Sequence, residues 1–482
     1  MAFGRKLYPS LEQFNPIKVF PETAFPFVSL ISLKILYPLT NDFVGSLNIG
    51  YALLYSFVII VFLFTLEKTI KFMKDNITIK SIQINKNEQL ENKFLVFLVF
   101  VLMFALGPDY TYLFKESNVN CLFHYSIPAI LNISLVLFLI SNSFKEKQLM
   151  VFDNYVLNGF FIVLLYIAIF SNLFQNIVLT SYCATTIALN LIKFFFIKQK
   201  DLISRKKRKN ILVFLTDNYQ YIVYIIVWGV ACLYEANGMR ASQTVQNVLT
   251  LNEILNSIKV FLFQVIPYSN ISKLTPILCF VILSNGICFY HFLKKMLNYS
   301  DINFLINQIK FVFIFLGIVS FYILSTIKTG HGYLFRESLT LCWSIWIILI
   351  CLLSFIYLCC LCNFVKLILP IYFCAVFIIL CTRGPVFYEF NILPDEDLTT
   401  IKEFDNYVVE QFIQADKNND DKLILLVPKF TKYNTNDNFP FATYANGFIS
   451  SCLHDYGITK NFINVTIIPD ESINKKFKFI SE

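Results

Sequence analysis

The residues of this chain that could do chemistry are acids and cations placed beside apolar walls. The acids on the side read below as outer are Glu22, Asp42, Asp109, Glu116, Glu235, Glu337 and Glu389, and the cations are Arg5, Lys115, Arg240, Arg336 and Arg383. Glu22 follows Pro21 and precedes an apolar segment (FPETAFPF); a carboxylate whose pKa is raised by burial there can take a proton from a sugar hydroxyl as a general base. Lys115 with Glu116 and Arg336 with Glu337 pair opposite charges at the edges of aromatic-rich apolar runs. That placement suits a grip on a lipid phosphate whose tail stays in the bilayer. Glu235 and Arg240 open a long hydrophilic connection (YEANGMRASQTVQNVL), and arginine's planar fork suits phosphate oxygens. His331, in TGHGYLF, can donate to a phosphate or carry a proton. For each of these residues taken alone, a solvated loop charge is the commoner fate.

What must position them is a membrane bundle. Of 482 residues, 56% are apolar and only 15% charged, well below the quarter usual in a soluble domain. Mean hydropathy is +0.61, and 53 phenylalanines stand against 14 glycines. A soluble enzyme, a coiled coil and a disordered tail protein are excluded. Apolar runs fall near residues 47–66, 94–108, 121–141, 155–175, 177–197, 211–233, 276–293, 311–327, 340–362 and 367–382, predicting about ten transmembrane helices. The fold class expected is thus an all-α polytopic membrane bundle, occupying residues 47–393, with the lipid bilayer as its solvent.

The net charge of +8 does not point to nucleic acid, because the lysines and arginines cluster next to apolar runs. Loop 67–93, the block Arg205 to Lys209, and Lys294 with Lys295 form one alternating set of basic connections, predicted to be cytoplasmic. The other set, 109–120, 234–275 and 328–339, faces outward. On that map residues 1–46 form an outer loop followed by an amphipathic helix, which Lys34 and Pro38 keep from spanning.

Beyond residue 394 charge rises, and periodicity predicts a helix over 397–416, a buried strand over 422–427, a helix over 441–456 and a strand over 463–468. Residues 394–482 therefore read as a small α/β domain on the outer side. The thirteen cysteines lie mostly in apolar stretches and read as buried hydrophobes, neither zinc site nor disulfide framework. No Walker A run or GxGxxG follows a strand, and no metal-ligand spacing appears, although a divalent cation would be compatible with the chemistry above. Asn132, Asn158, Asn172, Asn190, Asn285 and Asp217 are the polar residues noted in the spans, too few charges for a proton relay.

FPFVSLISLKILYPLTNDFVGSLNIGYALL, TRGPVFYEFNILPDED, QADKNNDDKLILLVP and DNFPFATYANGFISSCLHDYGIT together resemble bacterial polytopic glycosyltransferases of the GT-C type, the O-antigen glucosyltransferase-like group. The resemblance covers the ends of the chain better than its middle. It implies a plasma or inner membrane enzyme that takes a sugar from a polyprenyl-phosphate carrier at the outer leaflet and passes it to a lipid-linked or surface glycan acceptor. It also implies that a carboxylate of the first outer loop, Glu22 or else Asp42, is the base, and that Lys115, Arg240, Lys328 and Arg336 hold the carrier phosphate. The family pattern places a membrane helix before that loop, and none is read in this sequence.

YLFKES (112–117) and YLFRES (333–338) recur at equivalent outer positions, as two related halves of a flippase, exporter or polymerase of lipid-linked glycans would. A third reading is a membrane subunit of an organellar respiratory complex, with small membrane partners.

Overall fold

The computed structural model describes residues 18–77, 92–100, 119–142, 154–204, 211–236, 250–266, 275–327, 334–335, 337–361, 398–429 and 446–479. In chain order the membrane part contributes α1 (Phe20–Thr40), α2 (Phe43–Ile77), α3 (92–100), α4 (Val119–Ser141), α5 (Tyr155–Ile169), α6 (Ile177–Ser204) and α7 (Ile211–Ala236). It continues with α8 (Leu251–Val260, extended by a π-helical turn Phe261–Val265), α9 (Thr275–Leu293), α10 (Tyr299–Ile327) and α11 (Glu337–Leu361). The C-terminal part holds α12 (Leu398–Lys417), β1 (Lys422–Val427), α13 (Asn446–Asp455), β2 (Asn464–Pro469) and α14 (Glu471–Phe477).

Among the described residues, seven helices are long and apolar enough to cross a membrane: α1, α2, α4, α6, α7, α10 and α11. Six of them coincide with expected spans. The runs at 155–175 and 276–293 form shorter apolar helices; the first ends at Ile169 and is followed by a turn in which Asn172 accepts from the Phe174 and Gln175 N–H groups. Of the run at 94–108 only 94–100 is described, as helix, and 367–382 lies outside the described residues. Seven candidates among the described residues do not confirm the expected count of about ten.

The seventh, α1, covers residues expected as an amphipathic helix. Pro21 stands in the first turn of α1, while Pro26 and Pro38 lie inside it, where the π-helical turns Phe20–Ala24 and Ser32–Leu36 just before them keep the backbone continuous.

The chain divides into two compact units. In the unit holding most of the bundle, neighbouring helices meet through small and polar side chains, the usual glue where lipid removes the hydrophobic incentive. Thr69 donates to the Leu137 carbonyl at 3.0 Å, joining α2 to α4, and Asn190 donates to Asn218 at 2.8 Å, joining α6 to α7. Gly317 lets α10 lie against α6: a Cβ there would stand 3.0 Å from Ser181 Cβ. Asn176 closes a buried network: the two N–H groups of its Nδ2 are shared among Asn132 Oδ1 (2.9 Å), the Ala168 carbonyl (3.0 Å) and Tyr224 Oη (2.6 Å). Its own Oδ1 accepts from Thr180 at 3.2 Å.

The other unit combines α1, the start of α2 and the C-terminal α/β domain. β1 and β2 pair in parallel, Lys422 opposite Asn464 through Val427 opposite Pro469, with α13 in the connection between them. Phe404, Val408, Phe412 and Ala415 form the buried stripe of α12, and Phe404 meets Phe477 and Phe479 edge-on. β1 has the expected bounds, α12 and β2 lie one residue further on, the described part of the expected 441–456 helix is α13, and α14 is added. Asp470 begins α14 as its N-cap, accepting from the Ser472 N–H at 2.6 Å; the Ser472 hydroxyl first, and then that amide, hold the Asp470 carboxyl below its ordinary pKa.

Candidate functional site

The corner between α1 and α2 is made by Asn41, which turns left-handed at φ 53°, and Asp42, which caps α2. Asp42 Oδ1 accepts from the Gly45 N–H at 2.8 Å, an N-cap bond of the ordinary kind. The same oxygen accepts from Asn406 Nδ2 at 2.9 Å, and Oδ2 faces Lys402 Nζ at 2.5 Å. Asn406 Oδ1 in turn accepts from the Val44 N–H at 3.2 Å, satisfying another orphan amide of α2. Lys402 and Asn406 lie four apart on α12, so one face of that helix holds both groups against one corner.

Burial raises the Asp42 pKa, but hydrogen bonds from Lys402, Asn406 and the Gly45 amide, with the Lys402 charge, outweigh it and hold the carboxyl below its ordinary value. Asp42 is therefore ionised at neutral pH. Three donors occupy three of the roughly four lone-pair sites of a carboxylate, and the side chain is 29% exposed. An ionised oxygen with room for one more donor can accept a hydroxyl proton. The charged group beside it is a lysine, and among the described residues no group of three or more His, Cys, Asp or Glu converges to hold a metal ion.

Next to this face lies Asp405, 2% exposed, whose Oδ1 has no hydrogen-bond partner. Burial in that dry setting pushes its carboxyl up to about 8. A second tie runs through Lys34. Gly457 ends α13 in a left-handed conformation (φ 69°), and Lys34 Nζ lies 2.9 Å from where a Cβ would stand there. The ammonium thus sits at the carbonyl end of α13, the favourable end of the helix dipole for a cation. Lys34 has protein to meet at this position, within a helix of otherwise spanning character.

Glu22 is in the first turn of α1, half-buried. Twenty residues of nearly continuous helix, at about 1.5 Å each, put it roughly 30 Å from Asp42, so the two candidate carboxylates do not share a site. Lys115, Arg240, Lys328, His331 and Arg336 lie outside the described residues. Sequence reading missed Lys402, Asp405 and Asn406; a Lys and an Asn spaced by four just inside a helix were the available signal.

Fold and site define a multi-pass helical membrane protein carrying a small C-terminal α/β domain. No family model, no curated protein and no solved structure matches the chain.

Proposed function

We propose that the chain is a membrane glycosyltransferase that moves a sugar from a polyprenyl-phosphate carrier to a lipid-linked or cell-surface glycan at the outer leaflet of the cell membrane. The observation that supports this reading most is the Asp42 corner: an ionised carboxylate at the end of two helices of membrane length, tied to a water-side α/β domain. A carrier with a long isoprenoid tail has to be met at the bilayer edge, since each buried CH2 is worth about 0.8 kcal/mol. Sidedness is consistent with it. Lys18 precedes α1, Lys68, Lys71 and Lys74 lie near the far end of α2, and the corner at 41–42 carries no cation of its own. With α1 as a span, the basic ends lie in the cytoplasm and the corner lies outside. α1 then takes the place of the leading helix in the family pattern.

In this scheme Asp42 is the base for the acceptor hydroxyl, Lys402 keeps it ionised, and Lys115, Arg240, Lys328, His331 and Arg336 are drawn on for the carrier phosphate. Glu22, at the opposite end of α1, is not part of the site. The test is transfer of labelled hexose from a polyprenyl-phosphate donor by the purified chain in lipid nanodiscs. Asp42→Asn should lower transfer by about 100-fold or more, the usual worth of a positioned base, while Glu22→Gln retains it. Retained turnover in Asp42→Asn removes Asp42 as the base. Failure of the native chain across a panel of hexosyl donors and glycan acceptors removes the transferase.

A further inference from the structure

In the unit that holds most of the bundle, a charged side chain is buried where three helices meet. Asp301, 0% exposed, stands in the first turn of α10. Its Oδ2 accepts from His291 Nδ1 on α9 and from the Asn298 N–H, both at 3.1 Å. Its Oδ1 accepts from the Tyr357 hydroxyl on α11 at 2.6 Å. Asn298 Oδ1 returns a bond to the Asp301 N–H at 3.0 Å, closing a reciprocal cap at the start of α10. A cap of this kind needs only a surface carboxylate, and here it is placed in the interior, with a histidine whose side chain is 26% exposed.

The groups around the pair come from each neighbouring element. On α9, Cys288 donates its thiol to the Asp301 carbonyl at 3.8 Å and also meets Tyr357. Beyond the end of α9, Lys294 stands over the Tyr290 ring, one residue from His291. On α11, Tyr357 stacks on Phe304 with centroids 4.0 Å apart. The end of α2, bearing Lys74 and Asp75, is joined to α10 through Asn303 Nδ2 and the Asn76 carbonyl at 2.7 Å.

We propose that His291 and Asp301 form a proton-binding site in which one proton, exchanged with water through His291, locks the ends of α9, α10 and α11 together. Ionisable residues inside a membrane bundle are costly and are retained where they serve ion or proton chemistry. Histidine is the side chain that changes charge across the neutral range. With the proton bound, imidazolium faces carboxylate; when it leaves to water, Asp301 keeps only neutral donors at a buried position, and an ion pair gives way to a hydrogen bond from a neutral imidazole. The inference does not depend on the transferase reading.

Cys288, 3% exposed and touching both Asp301 and Tyr357, reports on the lock. The full chain in lipid nanodiscs is treated with N-ethylmaleimide from about pH 5.5 to about pH 8.5, and labelling is read by mass spectrometry. Normalising each value to the same chain denatured at that pH removes the thiolate effect. The native chain should show normalised Cys288 labelling rising about tenfold across this range, as the buried ion pair gives way to a hydrogen bond from a neutral donor. His291→Gln, which keeps a donor at a partly exposed position, should give a flat profile, and Cys183, fully buried in α6, should stay protected throughout. A flat native profile, superimposable profiles for native and His291→Gln chains, or a parallel rise at Cys183 would each overturn the proposal.

Discussion

Replacing Asp405 by Asn asks whether the C-terminal domain keeps a neutral acid in its interior. Asp405 is 2% exposed, one carboxyl oxygen has no partner, and burial lifts its pKa from an ordinary 3.8 to about 8. Between those values the folded domain holds a proton that the unfolded chain has released. Stability therefore falls as pH rises, by about 1.4 kcal/mol per unit, is highest below the unfolded pKa, and is fully reduced once pH passes the folded one. Four units give roughly 6 kcal/mol as the ceiling, a large share of what so small a domain can hold. Asn preserves the volume and cannot ionise, so Asp405→Asn should level the profile. It also brings an NH2 that needs a partner, at about 1–3 kcal/mol, so the slope against pH decides and the absolute offset does not. The assay is urea-dependent proteolysis of the full chain between about pH 5 and about pH 8, following the C-terminal fragment. Parallel pH profiles for native and Asn chains would refute the reasoning.

Two further substitutions test the ties at the corner by the same proteolysis. Asp42→Ala removes the N-cap of α2 as well as the ion pair and should cost about 1–2 kcal/mol, whereas Lys402→Ala, at a residue 45% exposed, should cost under about 1 kcal/mol. A double-mutant cycle that gives the pair more than the cap would reverse that ranking. Gly457→Ala forces a Cβ into a left-handed residue and towards Lys34, and should cost about 1–3 kcal/mol; Lys34→Ala in the same chain should recover only the steric part, leaving the backbone strain.

The parts legible from sequence were those whose signal is local. KLILLVP is an apolar run of strand length between polar turns, and it is β1. The stripe Phe404, Val408, Phe412 and Ala415 has helical spacing, and it is the buried face of α12. The helix before α2 was obscured because proline and lysine were weighed against a span one residue at a time. Pro21 stands in the first turn of α1, π-helical turns just before Pro26 and Pro38 carry the helix past them, and Lys34 is accounted for by the end of α13, more than four hundred residues away.

The charges show the same limit more sharply. Reading Asp42 as a first-loop acid was local; seeing that Lys402 and Asn406 hold it required the fold to bring residues 360 and more apart into contact. Asp301 is the harder case: NYSD before an apolar run is a helix-cap pattern and the cap forms, but the carboxylate in it is buried. Nothing within ten residues except His291 says that the edge is covered. Tyr357 lies 56 positions away, and it is Tyr357, with Phe304 stacked against it, that converts a surface cap into an interior charge. The surroundings of an acid at a helix start are therefore set by what a distant helix lays over it, and in this chain α11 does so at Asp301 while α12 does so at Asp42.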